Sequence, residues 1–172
     1  MMNYMLTLVG RDQPGIVADV TRVLYEAGCQ LGEASMMRLA GNFTIMLVLD
    51  CARAQGELEA LLAPVAEAMG LRLHLDEVEA EQHDHPLPDA RISVHGADRP
   101  GIVAEVTRAL AEAGFNILDL ETAVGGTEQA PIYIMIIEGQ AGLGLEPLER
   151  AVERLRDNRI EVSLEPVETL VG

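Results

Sequence analysis

Gly10-Arg11-Asp12-Gln13-Pro14-Gly15-Ile16-Val17-Ala18 is answered further along the chain by Gly96-Ala97-Asp98-Arg99-Pro100-Gly101-Ile102-Val103-Ala104. The two stretches begin 86 residues apart, which is half of the 172-residue chain. Between Gly10–Gly28 and Gly96–Gly114, fourteen of nineteen positions are identical. The sequence is therefore a tandem duplication, and a fold that serves one copy must serve the other. Residues 81–90, polar and carrying Pro86 and Pro88, read as a short linker. This places a first domain at 1–80 and a second at 91–172.

Working outward from the repeated stretch, Met5 to Val9 and Arg91 to His95 read as short strands, and in the second Ile92 and Val94 alternate with Arg91, Ser93 and His95. A helix follows in each copy, with Ile16, Val17, Val20, Leu24 and Ala27 on one face, and Ile102, Val103, Val106, Leu110 and Ala113 on its counterpart. Gly28 and Gly114 stop these helices. Two strands come next, Leu31 to Leu39 and Phe43 to Leu49 around Ala40-Gly41-Asn42, matched by Ile117 to Val124 and Ile132 to Ile137 around Gly125-Gly126-Thr127. Second helices carry Leu58, Leu61, Leu62, Val65 and Met69, and Leu145, Leu148, Val152 and Leu155. Closing strands run from Leu71 to Val78 and from Ile160 to Val167. The order is βαββαβ twice, an α+β chain of two ferredoxin-like units. The third strand of each copy is apolar on both faces, as a strand buried on both sides is. One merged body also exposes less surface than two separate globules. An intramolecular pseudo-dimer of the copies is therefore expected, and a further dimer of chains with it.

The loops that join first strand to first helix carry the chemistry. Proline suits the opening turn of a helix, and the aspartate two residues before it is a natural N-cap acceptor. Glycine lets a ligand approach the backbone, where free N–H groups and the positive end of the helix dipole suit a carboxylate. A well-capped helix start with no ligand is the alternative, and it would have to explain why the same spacing occurs twice.

Composition excludes several classes. The chain is 49% hydrophobic and 23% charged, which is a globular balance. Twelve Lys plus Arg against 28 Asp plus Glu leave a net charge of -16, which repels nucleic acid and anionic membranes alike. Three Tyr and two Phe are too few for base-stacking platforms. The longest apolar runs are strand-length, so no membrane span is expected. Met1 to Val9 lacks the basic start and cleavage site of a secretory signal, which makes the cytoplasm the default location. Cys29 and Cys51 have no CxxC spacing and read as small buried hydrophobes in a reducing compartment, with no metal framework. His83-Asp84-His85, with His74 or His95, could ligate a transition metal, but a solvated linker accounts for it. Arg22 and Arg108 read as members of helix-surface ion pairs. Met36, Met37 and Met46 read as adaptable core filler. No GxSxG, HExxH, P-loop lysine or dinucleotide fingerprint is present, and no enzyme or cofactor is expected.

Asp-x-Pro-Gly-Ile-Val-Ala, followed by a helix and Glu112-Ala-Gly-Phe-Asn-Ile117, resembles the ACT domain, a regulatory module that binds amino acids. The resemblance spans both halves. With Gly28-Cys29-Gln30-Leu31 and Leu39-Ala40-Gly41-Asn42-Phe43-Thr44, it extends to the glycine cleavage system transcriptional repressor family. It implies a ligand between the first loop of one domain and the second-strand start of its neighbour. Carried onto this chain, the ligand residues are Asp12, Gln13, Pro14, Gly15, Ile16 and Gln30, and Asp98, Arg99, Pro100, Gly101, Ile102 and Asn116. The first copy departs from the pattern with Gln30 in place of Asn. Arg99 could hold a carboxylate bidentately. The resemblance further implies glycine or a similar small amino acid as ligand, and a transcription activator as protein partner. A regulatory subunit that confers feedback control on a biosynthetic enzyme is the competing reading.

Overall fold

Alternation along β1 (Met2–Arg11) sets the first sheet, because Tyr4, Leu6 and Leu8 are fully buried while their neighbours are not. Helix α1 (Ile16–Glu26) lays Ile16, Val20 and Leu24, spaced at four residues, on that same face. β2 (Gln30–Leu39) and β3 (Asn42–Cys51) form a hairpin. Its two turn residues, Ala40 and Gly41, have φ of 49° and 77°, the twist a two-residue hairpin turn needs. α2 (Gln55–Ala68) buries Leu58, Leu62 and Ala66, and β4 (Arg72–Val78) closes the sheet in the order β2-β3-β1-β4, with every pairing antiparallel. The computed structural model describes residues 1–79, 86–97, 100–158 and 160–167. These divide into two units, Met1–Gln82 and His83–Gly172.

The second unit repeats the plan with β5 (Ala90–Ala97), α3 (Ile102–Glu112), β6 (Phe115–Thr127), β7 (Ala130–Ala141), α4 (Leu145–Asp157) and β8 (Glu161–Pro166), in the order β6-β7-β5-β8. Each unit has its own core between one sheet face and two helices. The α+β class and the doubled βαββαβ order are as the sequence implied. A one-residue β-bulge interrupts β2 between Leu31 and Ala34 and β6 between Ile117 and Asp119, at the same place in both units. Among the described residues, no helix is long and apolar enough to cross a membrane.

Several local expectations are corrected. Gly125-Gly126-Thr127 lies within β6, and the second hairpin turns at Glu128-Gln129, between the paired Thr127 and Ala130. The third strands are not buried on both faces. Phe43, Ile45, Leu47, Leu49 and Cys51 face the core, whereas Met46 on the opposite face is 49% exposed, and Ile136 of β7 is 38% exposed. Met36 and Met37 are more than half exposed because β2 is an edge strand paired only with β3, so they are not core filler. Val17 and Val103 also face outward, one position off the buried i, i+4, i+8 stripe.

Candidate functional site: the two Pro-Gly loops

In the first unit the loop between β1 and α1 is tied on two sides. The Asp12 N–H donates to the Gly41 carbonyl at 3.0 Å, and the Asp12 carboxylate pairs with Arg38 of β2, with Nη2 2.5 Å from Oδ2. Gln13 Nε2 donates to the Met69 carbonyl at 2.7 Å, which joins the loop to the end of α2. Asp12 is therefore not the helix cap that its spacing suggested. Gly15, three residues after Asp12, takes the N-cap position with φ 94°, and the helix receives no side-chain cap. Pro14 and Gly15 are exposed, and Ile16 is 2% exposed. The Ile16 side chain belongs to the core, so its only offer to a ligand is its N–H.

The second unit reproduces the glycine. Gly101 caps α3 with φ 89°, and among the described residues no side chain caps the helix. Pro100 is exposed, and Ile102 is in the core. Asp98 and Arg99 lie outside the described residues, as do His83, Asp84 and His85. The left-handed backbone supplies a reason for glycine that the sequence did not reveal, since a side chain is strained at that φ whatever ligand is bound. Each helix also places an acidic residue in its first turn, Asp19 in α1 and Glu105 in α3. These complement the helix dipole and oppose a bound anion.

Gln30 and Asn116 are exposed at the starts of β2 and β6. The register separates them from the loops of their own units. Gln30 pairs with Asp50, which also pairs with Asn3, eight residues along β1 from Arg11. Asn116 pairs with Gln140, eight residues along β7 from the Ile132 that pairs with Ala97. At about 3.4 Å per residue, loop and strand start stand roughly 27 Å apart at opposite ends of one sheet. A single unit therefore does not bring the expected ligand residues together. Asp50, opposite Gln30, has a buried Oδ1 with no hydrogen-bond partner.

Sequence reasoning missed Arg38, because an arginine on an exposed strand gives no signal of its partner. It also missed a cavity of about 550 Å³ lined by His95, Arg156, Ile160, Glu161, Val162 and Ser163. Arg156 Nε donates to the Val162 carbonyl at 2.7 Å there. Arg22 pairs with Glu26 at 3.3 Å and Asp19 at 4.0 Å, as its helix spacing implied. His74 pairs with Asp76 at 3.0 Å. Among the described residues, no three His, Cys, Asp or Glu side chains converge in a way that could hold a metal ion.

Residues 4–76 and 90–158 each match the family described as the ACT domain. The UPF0237 protein YjhC of Lactococcus lactis is 35% identical over 75 residues, covering 43% of this chain and 86% of the relative. The UPF0237 protein MMP0657 of Methanococcus maripaludis is 28% identical over 78 residues, covering 44% and 87%. Each relative thus corresponds to about half of this chain. Two solved structures extend over both halves. A Galdieria sulphuraria protein has a TM-score of 0.76 at 22% identity, covering 97% of this chain and 99% of its own. A candidate glycine cleavage system transcriptional repressor has a TM-score of 0.70 at 16% identity, covering 98% of each. At such identities the likeness is one of fold. Two matches to one domain, on two βαββαβ units with the same glycine-capped helix, mean that the chain belongs to the ACT domain family and carries its regulatory module twice.

Proposed function

We propose that this protein is a non-enzymatic sensor of a small amino acid, with glycine the foremost candidate, that acts through a protein partner. The observation that carries the reading is the pair of α1 and α3 N-termini, each opened by a positive-φ glycine and, among the described residues, left without a side-chain cap. Their free N–H groups suit a carboxylate. Loop and strand start lie at opposite ends of one sheet, so the ligand is taken between the loop of one ACT domain and the second-strand start of another. Asn116 supplies the side-chain contact at the better-matched site. Gln30 does so at the other, where the orphaned Asp50 oxygen suits the ligand's ammonium group. A transcription activator of glycine cleavage genes is the proposed partner, and the proposed location is cytoplasmic.

A thermal-shift screen of the twenty amino acids on the full chain tests the ligand. One or two small amino acids should raise the melting temperature through preferential binding to the folded state. A flat response to all twenty would overturn the sensor reading. Affinity capture tests the partner, and recovery of a biosynthetic enzyme in place of a transcription regulator would assign the chain to feedback control.

A further inference from the structure

Both cysteines of the chain lie in the first unit. Cys29 follows α1, its N–H donating to the Leu24 carbonyl at 3.0 Å, and Cys51 is the last residue of β3. The pairing of Gln30 with Asp50 sets Cys29 opposite Cys51 one step further on, and their sulfurs stand 2.6 Å apart. Cys29 is 9% exposed and Cys51 is fully buried. In the second unit the same cross-strand position holds Phe115 opposite Ala141, one large and one small apolar side chain. An apolar pair thus fills this corner of the fold, and nothing in the packing calls for sulfur at both of its positions.

We propose that Cys29 and Cys51 form a reversible disulfide that staples the start of β2 to the end of β3, with a low-molecular-weight disulfide such as oxidised glutathione as the oxidant. The inference rests on the fold of one unit and does not depend on the amino-acid ligand. Cys29, the thiol with exposed surface, loses its proton and attacks one sulfur of the oxidant. The oxidant's sulfur–sulfur bond breaks, one thiolate leaves, and a mixed disulfide remains on Cys29. Cys51 then loses its proton and attacks the Cys29 sulfur, expelling the second thiolate. The protein loses two electrons and two protons, and the oxidant becomes two thiols. Burial foremost, with the contact to Cys51, pushes the Cys29 thiol up to about 12. The first step is therefore slow at neutral pH and should quicken about tenfold per pH unit between pH 7 and 9, whereas an ordinary exposed thiol would begin to level off near its pKa of about 8.5.

The full chain is equilibrated in glutathione buffers from fully reduced to fully oxidised, quenched in acid, denatured, alkylated and weighed intact. Reduced protein should take two alkyl groups. Oxidised protein should take none, with no added glutathione and no cross-linked chains. Its melting temperature should exceed that of the reduced form by roughly 5–15 °C. Cys51→Ala should stop at one glutathione adduct. The double variant Cys29→Phe, Cys51→Ala, which copies the second unit, should fold and melt independently of redox buffer. Two alkylatable thiols in the oxidised buffer would overturn the proposal, as would glutathione retained on wild-type Cys29 or disulfides formed only between chains.

Discussion

Among the described residues a methyl group on Gly101 would meet no atom within 4 Å, yet the backbone there has φ 89°. Gly101→Ala should therefore cost about 1–2 kcal/mol of stability through backbone strain alone, besides abolishing the response to the cognate amino acid. Because that strain adds to any effect on binding, Asn116 gives the cleaner test. It is exposed, so Asn116→Ala should leave unfolding within about 0.5 kcal/mol of wild type. Ligand binding should weaken by about 1–3 kcal/mol through one lost hydrogen bond and an unpaired ligand group, as titration calorimetry would measure. Full binding by this variant would remove Asn116 from the site. Spacing alone made the positions of Gly15 and Gly101 legible, but not their φ, which spacing does not encode, nor the Asp12–Arg38 pair, which depends on where the β2–β3 hairpin lies beside the first unit's loop. Cys29 offers a further measurement. With its thiol pushed up to about 12, its contribution to stability is fully present below the ordinary thiol pKa. It is lost as pH rises toward 12, because the unfolded chain ionises first. Denaturant titrations of reduced protein at pH 8 and 10.5 should show this fall, and the Cys29→Phe, Cys51→Ala variant should lack that share of it.

At the level of elements, hydrophobic period located the twelve helices and strands of the described residues but did not rank their burial. Met36 and Met37 of β2 and Leu6 of β1 are equally apolar in sequence. The first two lie on an edge strand at 55% and 57% exposure, and Leu6 in the central strand is fully buried. Edge and centre are decided by strand order, which is a property of the whole unit and is not written in any one segment. Met36→Thr should accordingly shift stability by about 0.5 kcal/mol or less. Leu6→Ala should cost about 2–5 kcal/mol. A large loss from Met36→Thr in denaturant melts would restore the core reading of the methionines. The bulge in β6 was equally hidden. Next to it, a β-carbon on Gly139 would run into the Asn116 carbonyl oxygen and the Phe115 ring. The matching position in the first unit is Leu49, fully buried. Two copies of one fold thus fill the same site in incompatible ways, and Gly139→Ala should destabilise the second unit by about 1–3 kcal/mol.

For the molecule as a whole, charge decides more than any site does. All twelve cationic side chains are arginines, set against 28 carboxylates. Self-repulsion of this size weakens the folded state at low salt, so the melting temperature should rise as sodium chloride is taken from 10 to 150 mM, over which screening shortens from about 30 to 8 Å. The same charge fixes the sign of any encounter with nucleic acid. A protein gains affinity for a duplex by releasing counterions from phosphates that its own cations neutralise, and this chain has sixteen more anions than cations to bring to that exchange. Several arginines are already committed, Arg22 to Glu26, Arg38 to Asp12 and Arg91 to Glu138. If the chain governs genes, it must do so through another protein that carries the basic surface. Mobility-shift assays with pure protein and promoter duplexes at physiological salt should show no retardation, with or without amino acid. Retardation should appear only when a DNA-binding partner is added, and specific binding by the chain alone would overturn the indirect mechanism.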